Sequence, residues 1–304
     1  MDTPFHPGEQ QIQARLGVRD KLAEIGRRVI RDHMPEQHRE FFALLPWLLV
    51  GSRDANGQPQ ASVLWGTPGF ARSPQPRCLR IDARPEADDP LAANLRAGAS
   101  LGLLGIELPT RRRNRMNGHV EALDDTGFAV AVQQSFGNCP KYIQVRAWHA
   151  KPRQPGPLEQ GEGLDPRWLR LVEGSDTLFI ASCHGEDIDV SHRGGPPGFV
   201  RLGADGRLWL PDYSGNFMFN TLGNLLLEPR CALLWIDFAS GDLLHLEARA
   251  ELVWPEDYAE PAPPGAERML ALSPGRWRLR LRRARLPLAF GAAEPSPYLP
   301  VQGA

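Results

Sequence analysis

The chain has 304 residues and 35 Lys and Arg against 36 Asp and Glu, a formal net charge of −1. A near-neutral chain without a recognised reading motif argues against a nucleic-acid partner, and no apolar run approaches the roughly 18 residues needed to span a bilayer. Cys78, Cys139, Cys183 and Cys231 form no CxxC pair, so neither a zinc site nor a disulfide framework is indicated and reduced thiols are the plain reading.

In chain order, amphipathic periodicity predicts helices over 20–30 and 36–45, divided at Met34-Pro35, so that 1–45 forms an N-terminal helical segment. Strands follow at 48–52 and 60–64, joined by a tight hairpin at Asp54-Ala-Asn56-Gly57. Asp89-Pro90 opens a helix that Gly98 is expected to end. The basic run Thr110–Arg115 enters the next strand, read either as binding residues or as a charged guard on an edge strand. Residues 151–163, rich in Pro and Gly, read as a linker, and 261–265 as a second loop. The segment 216–227 reads as a helix that stops before Pro229, and Arg276–Arg285 forms a second basic run.

The chain repeats itself. Residues 48–123 align with 178–253 at a constant offset of 129 to 130, with gaps confined to turns: both copies reach Pro-Gly-Phe, and LGLLGIEL from Leu101 answers CALLWIDF from Cys231. Ala204-Asp205-Gly206 is expected to do in the second copy what residues 54–57 do in the first. Each copy reads as short antiparallel strands with one helix, which suggests a small closed barrel. The expected division is 46–150 for the first barrel, 164–290 for the second and 291–304 for a tail.

Two segments of the second copy are richer in polar residues and glycine than a barrel requires. In Asp189-Val-Ser191-His192-Arg193-Gly194-Gly195, strand alternation puts Ser191 and Arg193 on one face, and the glycines let a flat ligand approach the backbone. In Pro211-Asp-Tyr213-Ser214-Gly215-Asn216, followed by Asn220, a helix start at 214–216 offers free N–H groups to a phosphate. A phosphorylated, planar cofactor fits both. The first copy has lost this polar set, yet it keeps Arg115 and Asn117 where the second has His245 and Glu247, and it adds Cys139-Pro140-Lys141. Complementary loss implies one composite site shared by the two halves.

At DVSHRGGPPGFV, LWLPDYSGN, NTLGNLL, RMNG and CPKYI the chain resembles the pyridoxamine 5′-phosphate oxidase-like family of FMN-binding split barrels, in particular its probable FMN-dependent enzyme branch. The resemblance implies a mainly β fold with helices, in which two tandem split β-barrels pack as an intrachain pseudo-dimer with FMN in the crevice between them. By analogy Arg193, Ser214, Asn216 and Asn220 anchor the phosphate, with Ser191, His192 and Tyr213 beside them, and Arg115, Asn117 and Lys141 approach the ring from the first half. Tyr213 stands where the branch often has Arg, and the Arg-x-His substrate pattern of true pyridoxamine phosphate oxidases is not recognisable in Arg276–Arg285, which argues against vitamin B6 oxidation. The function implied is an FMN-dependent oxidoreductase acting on a small molecule, with NAD(P)H or a reductase as electron donor, cytoplasmic and compatible with a homodimer of pseudo-dimers. The alternative is a non-catalytic flavin or haem carrier, with His184, His192 or His245 as axial ligand.

Overall fold

The structure, a computed structural model, describes residues 3–152, 156–258, 261–280 and 287–300. The end of the 276–285 basic run, from residue 281 on, lies outside them. Among the described residues no helix is long and apolar enough to cross a membrane.

The first half contains β1 (Trp47–Arg53), β2 (Pro59–Trp65), β3 (Ala71–Gln75), β4 (Cys78–Ile81), β5 (Ser100–Glu107), β6 (Arg112–Asp124) and β7 (Gly127–Asn138), in sheet order β2-β1-β5-β6-β7-β4-β3. After β8 (Trp148–Ala150) and β9 (Leu158–Glu162), the second half contains β10 (Thr177–His184), β11 (Asp187–Gly194), β12 (Arg201–Leu202), β13 (Leu208–Tyr213), β14 (Arg230–Ile236), β15 (Leu243–Val253) and β16 (Ala266–Arg280). Its order, β11-β10-β14-β15-β16-β13-β12, is that of the first sheet strand for strand. The molecule is mainly β, with antiparallel pairing throughout both sheets.

The central strands read as unbroken apolar runs because both faces are covered. In β1, Leu48 and Val50 fill the first barrel's core, while Trp47 and Leu49 point the other way into a third core between the halves. The second half repeats this: Leu178 and Ile180 enter its own core, and Phe179 and Ala181 meet Trp47 and Leu49. Each fully buried side chain of this size contributes about 1.5–3 kcal/mol, so the inter-half core alone binds the two barrels firmly. Backbones also approach closely there: a Cβ on Gly102 of β5 would lie 2.6 Å from the Ile188 carbonyl of β11.

The Asp54 carboxylate accepts from the Asn56 and Gln58 amides at 2.8 and 2.9 Å, and Gly57 takes φ 76°, which closes the β1–β2 hairpin as expected. The turn at 204–206 does different work from that expected of it: it joins β12 to β13. The counterpart of 54–57 is the shorter turn between His184 and Asp187, where Gly185 at φ 58° closes the hairpin without an Asn-Gly pair. Part of the expected linker is also structured, since β9 pairs with Arg276–Arg280 at the far end of β16. Residues 153–155 of that stretch lie outside the described residues. Further on, β17 (Leu288–Phe290) pairs with β8.

Helices α2 (Arg19–Val29) and α3 (Glu36–Ala43) agree with the predicted pair. In α4 (Pro90–Asn94) the Asp89 carboxylate caps Leu91 N–H at 2.9 Å, but the helix ends before Gly98. The chain further contains α5 (Pro166–Gly174) and α6 (Asn220–Leu227), and an unanticipated α1 (Pro7–Arg15). A reciprocal cap starts α1, His6 Nδ1 accepting from Gly8 N–H and Glu9 Oε2 from His6 N–H. It crosses α6 at a glycine pair: a Cβ on Gly8 would sit 2.1 Å from the Gly223 carbonyl oxygen. Gly8→Ala is therefore expected to lower stability by about 1–3 kcal/mol and to speed amide exchange in α1, readable by hydrogen–deuterium exchange; unchanged protection would show that the helices are not held at this distance.

Candidate functional site

Along β6, Arg113, Arg115 and Asn117 alternate onto one face, and Asp189, Ser191 and Arg193 do the same along β11. The crevice between the halves brings these two rows together. Arg115 is 3 % exposed and reaches across: Nη1 donates to Asn220 Oδ1 at 2.8 Å and lies 3.2 Å from Asp189 Oδ1, while Nη2 donates to the Val190 carbonyl at 3.1 Å and to Ser191 Oγ. Burial pushes the Arg115 pKa down, offset in part by Asp189.

On one side of this bridge lies a cavity of about 110 Å³, lined from the first half by Arg113, Arg115, Cys139, Lys141 and Tyr142. From the second half come Ser191, His192, Arg193, Asp212, Tyr213, Asn216, Asn220, Thr221 and Arg268. Its charge is unbalanced. Arg193 and Arg268 share Asp212 at 2.7 and 2.8 Å. Arg113 has no carboxylate partner among the described residues; it donates to the Cys139 carbonyl at 2.6 Å and lies 3.1 Å from His192 Nδ1. Its pKa is pushed down to about 10, chiefly by burial. Lys141 contacts the Ser214 carbonyl, at 3.4 Å. Two cations without counter-ions, together with the unpartnered Nε of Arg113, Arg115 and Arg193, make a donor-rich niche that favours an anion.

Because Arg113 donates, His192 Nδ1 accepts, which puts the imidazole proton on Nε2. Burial, reinforced by Arg113 and Arg193, holds the pKa well below the ordinary histidine value, so the ring is neutral. Three of the four non-glycine residues with positive φ among the described residues, Tyr142, Phe217 and Phe219, line this cavity. Backbone strain of this kind persists where the surroundings enforce it and tends to gather at functional sites.

Of the residues expected from the sequence, Arg115, Lys141, Ser191, His192, Arg193, Tyr213, Asn216 and Asn220 meet here. Ser214 takes part through its carbonyl, which also accepts from Tyr142 Oη at 3.0 Å. Two expectations need correction. Helix α6 starts at Asn220 and not at 214–216, because Asn216 Oδ1 accepts from Met218 N–H at 3.2 Å and holds the preceding residues in an irregular loop with Phe217 and Phe219 left-handed. Asn117 bonds Asp189 at 2.6 Å and lines a second cavity, of about 410 Å³, beyond the Arg115 bridge. Arg268, Thr221 and Glu9 were missed. Glu9, 3 % exposed, accepts from Asn220 Nδ2 and so braces the same bridge from α1. Its pattern, a capping residue followed three positions later by Glu, was the available signal.

His184, His192 and His245 line three different cavities. Among the described residues no group of three or more His, Cys, Asp or Glu could hold a metal ion.

These features define a double barrel with an anion-seeking crevice between its halves. Residues 34–157 match the family model of pyridoxamine 5′-phosphate oxidase. No curated protein matches the chain. Solved structures with partial likeness include a NimC/NimA family protein from Clostridium acetobutylicum, with 12% identity and TM-score 0.29 over 43% of this chain and 89% of that one. A conserved hypothetical protein from Mycobacterium tuberculosis has 16% identity and TM-score 0.24 over 42% of this chain and 85% of that one.

Proposed function

We propose that the crevice binds FMN and that the protein is an FMN-dependent oxidoreductase. The observation that carries this reading is the pair of uncompensated cations, Arg113 and Lys141, in a cavity whose other wall holds Ser191, Thr221 and the first residues of α6. A volume of about 110 Å³ suits a phosphate group and is smaller than the roughly 300 Å³ at which cofactor pockets begin, so the remainder of the cofactor would lie outside it. Arg113 and Lys141 would hold the phosphate, with Arg193 and Arg268 already paired with the carboxylates of Asp212 and Glu267. His192, neutral, offers an Nε2–H donor. When bound, the flavin supplies hydride or electron transfer, and the protein's part is binding, orientation and hydrogen bonding.

One flavin per chain is expected. At the positions equivalent to Arg113, Arg115 and Arg193 the other crevice carries Leu243, His245 and Leu64. The Gln60–Glu247 bond at 2.9 Å stands there in place of Asp189–Asn117. Titration with FMN, followed by fluorescence quenching, should saturate at one equivalent. Arg113→Ala or Lys141→Ala should weaken binding about 10- to 100-fold, the loss of one charge-assisted hydrogen bond of about 1.5–3 kcal/mol. Arg84→Ala, on an exposed guanidinium that donates to the Asp124 carbonyl, should change nothing. Equal losses in all three variants would overturn the assignment of the cavity, and a protein that neither binds FMN nor bleaches with NAD(P)H or a coupled reductase would overturn the function.

A further inference from the structure

The four thiols of the chain are not alike. Cys78, Cys183 and Cys231 are buried, and burial pushes their pKa values upward, for Cys231 to about 12. Cys139 is half-buried and lines the anion cavity. Its sulfur lies 3.7 Å from Arg113 Nη2, the same guanidinium that lacks a carboxylate, and Lys141 follows two residues on. Two further side chains lining the cavity are more than nine-tenths buried and hold unpartnered nitrogens: His192, with Nε2 free, and Arg115, with Nε free. A thiol thus opens onto a niche of donors that lack acceptors.

We propose that Cys139 is a modification site, a thiol that exchanges with small disulfides bearing carboxylates, the class to which oxidised glutathione belongs, with Arg113 selecting the negative charge. The Cys139 thiolate attacks one sulfur of the disulfide; a new S–S bond forms to the protein, the old one breaks, and the departing thiolate takes up a proton. The protein sulfur is oxidised, the incoming disulfide supplies the oxidising equivalent, and a second thiol reverses the step. The flanking positive charge raises the local concentration of an anionic reagent and stabilises the negative charge that spreads over three sulfurs during exchange. Where the FMN reading holds, on which this consequence rests, the adduct occupies the phosphate niche and excludes the cofactor, so that disulfide stress would unload the protein reversibly.

The test compares two aryl disulfides on the folded chain: dithiobis-nitrobenzoate, which is dianionic, and dithiodipyridine, which is neutral. Wild type should give one fast adduct, mapped to Cys139 by peptide mass spectrometry and absent in Cys139→Ser. Arg113→Ala should slow the anionic reagent about fivefold relative to the neutral one, the effect of one charge at about 4 Å in a medium close to water, and Arg113→Lys should restore most of the ratio. An unchanged ratio in Arg113→Ala, or a Cys139 that reacts no faster than the buried thiols, would overturn the proposal. Protein treated with oxidised glutathione should lose FMN binding and regain it with dithiothreitol; full binding by the adduct would refute the exclusion. Untreated protein that binds no FMN would instead remove the cofactor reading, while the labelling rates still decide the thiol chemistry.

Discussion

Arg115→Ala is expected to lower the stability of the chain by about 3–5 kcal/mol, the cost of removing one partner from a buried ion pair, and to abolish cofactor binding with it. Four acceptors converge on this guanidinium: Asn220, Asp189, the Val190 carbonyl and Ser191 Oγ. They belong to the second half of the chain, whereas Arg115 sits on a strand of the first, over the ring of Phe136 at 5.4 Å. Its loss leaves the Asp189 carboxylate with amide donors from Asn117 and Asn224 and no neighbouring positive charge at hydrogen-bond distance. Urea unfolding should show a lower midpoint with little change in slope, since the surface exposed on unfolding stays the same. Arg115→Lys keeps the charge and cannot reproduce the planar fork, so it should recover only a minor part. Full recovery by lysine would show that charge alone joins the halves, and a midpoint unchanged in Arg115→Ala would show that the inter-half core suffices.

The repeated strand order was legible because it rests on local and dense signals. Turn residues and two-sided apolar strands recur at an offset of 129 to 130, and equivalent polar pairs keep that offset: Asn94 donates to Ser52 at 3.0 Å, as Asn224 does to Ser182 at 3.1 Å. Helix α1 carried only the short capping pattern of His6 and Glu9. Its buried face consists of Gly8, Glu9, Ile12 and Gln13, so no apolar stripe marks it, and it is held by a glycine contact with α6 that only the folded chain creates. The start of α6 was misplaced for a related reason: Ser-Gly-Asn has the composition of a helix cap, yet Asn216 uses its side chain within the loop.

Site residues followed the same division. Arg193, Ser191 and Lys141 stood in compact polar motifs, and the fold brings them to one cavity. Asn117 shares the face of Arg115, but two residues along a strand is nearly 7 Å, far enough to place it in the neighbouring cavity. Arg268 and Glu9 come from opposite ends of the sequence and meet the site only through tertiary structure. Arg113 belonged to a basic run that also reads as an edge-strand guard, and β6 turns out to be an interior strand of its sheet, paired with β5 and β7. The guard reading thus loses its basis.

Glu9 and His6 should give the stability of the chain an unusual pH profile. Burial and the nearby Asp189 raise the Glu9 pKa from 4.5 to about 8, with Arg115 opposing, so the folded state holds its proton where the unfolded chain has lost it. Stability from this group is complete below pH 4.5 and declines as the pH rises towards 8, by about 1.4 kcal/mol per unit at most. His6, stacked on His184 at 4.5 Å and facing Asp189 and Asn224, shifts the opposite way, from 6.5 to about 4, again chiefly through burial. Its neutral form is preferred in the folded state, so its contribution is complete above pH 6.5 and is lost as the pH falls towards 4. At neutral pH the 3.6 Å contact between the two is thus one of a neutral ring with a carboxylic acid, not an ion pair. Between 4.5 and 6.5 the two slopes oppose and the contribution of this pair is flat; above 6.5 Glu9 acts alone and about 2 kcal/mol is lost by pH 8. Glu9→Gln keeps the shape and removes the titration. It should hold its stability above pH 6.5, exceeding wild type there, and should expose the His6 slope as a loss between pH 6.5 and 4 that wild type masks. Thermal midpoints measured from pH 4 to 9 decide this: parallel curves for the two proteins would mean that Glu9 ionises as freely folded as unfolded, and that α1 does not bury it against the crevice.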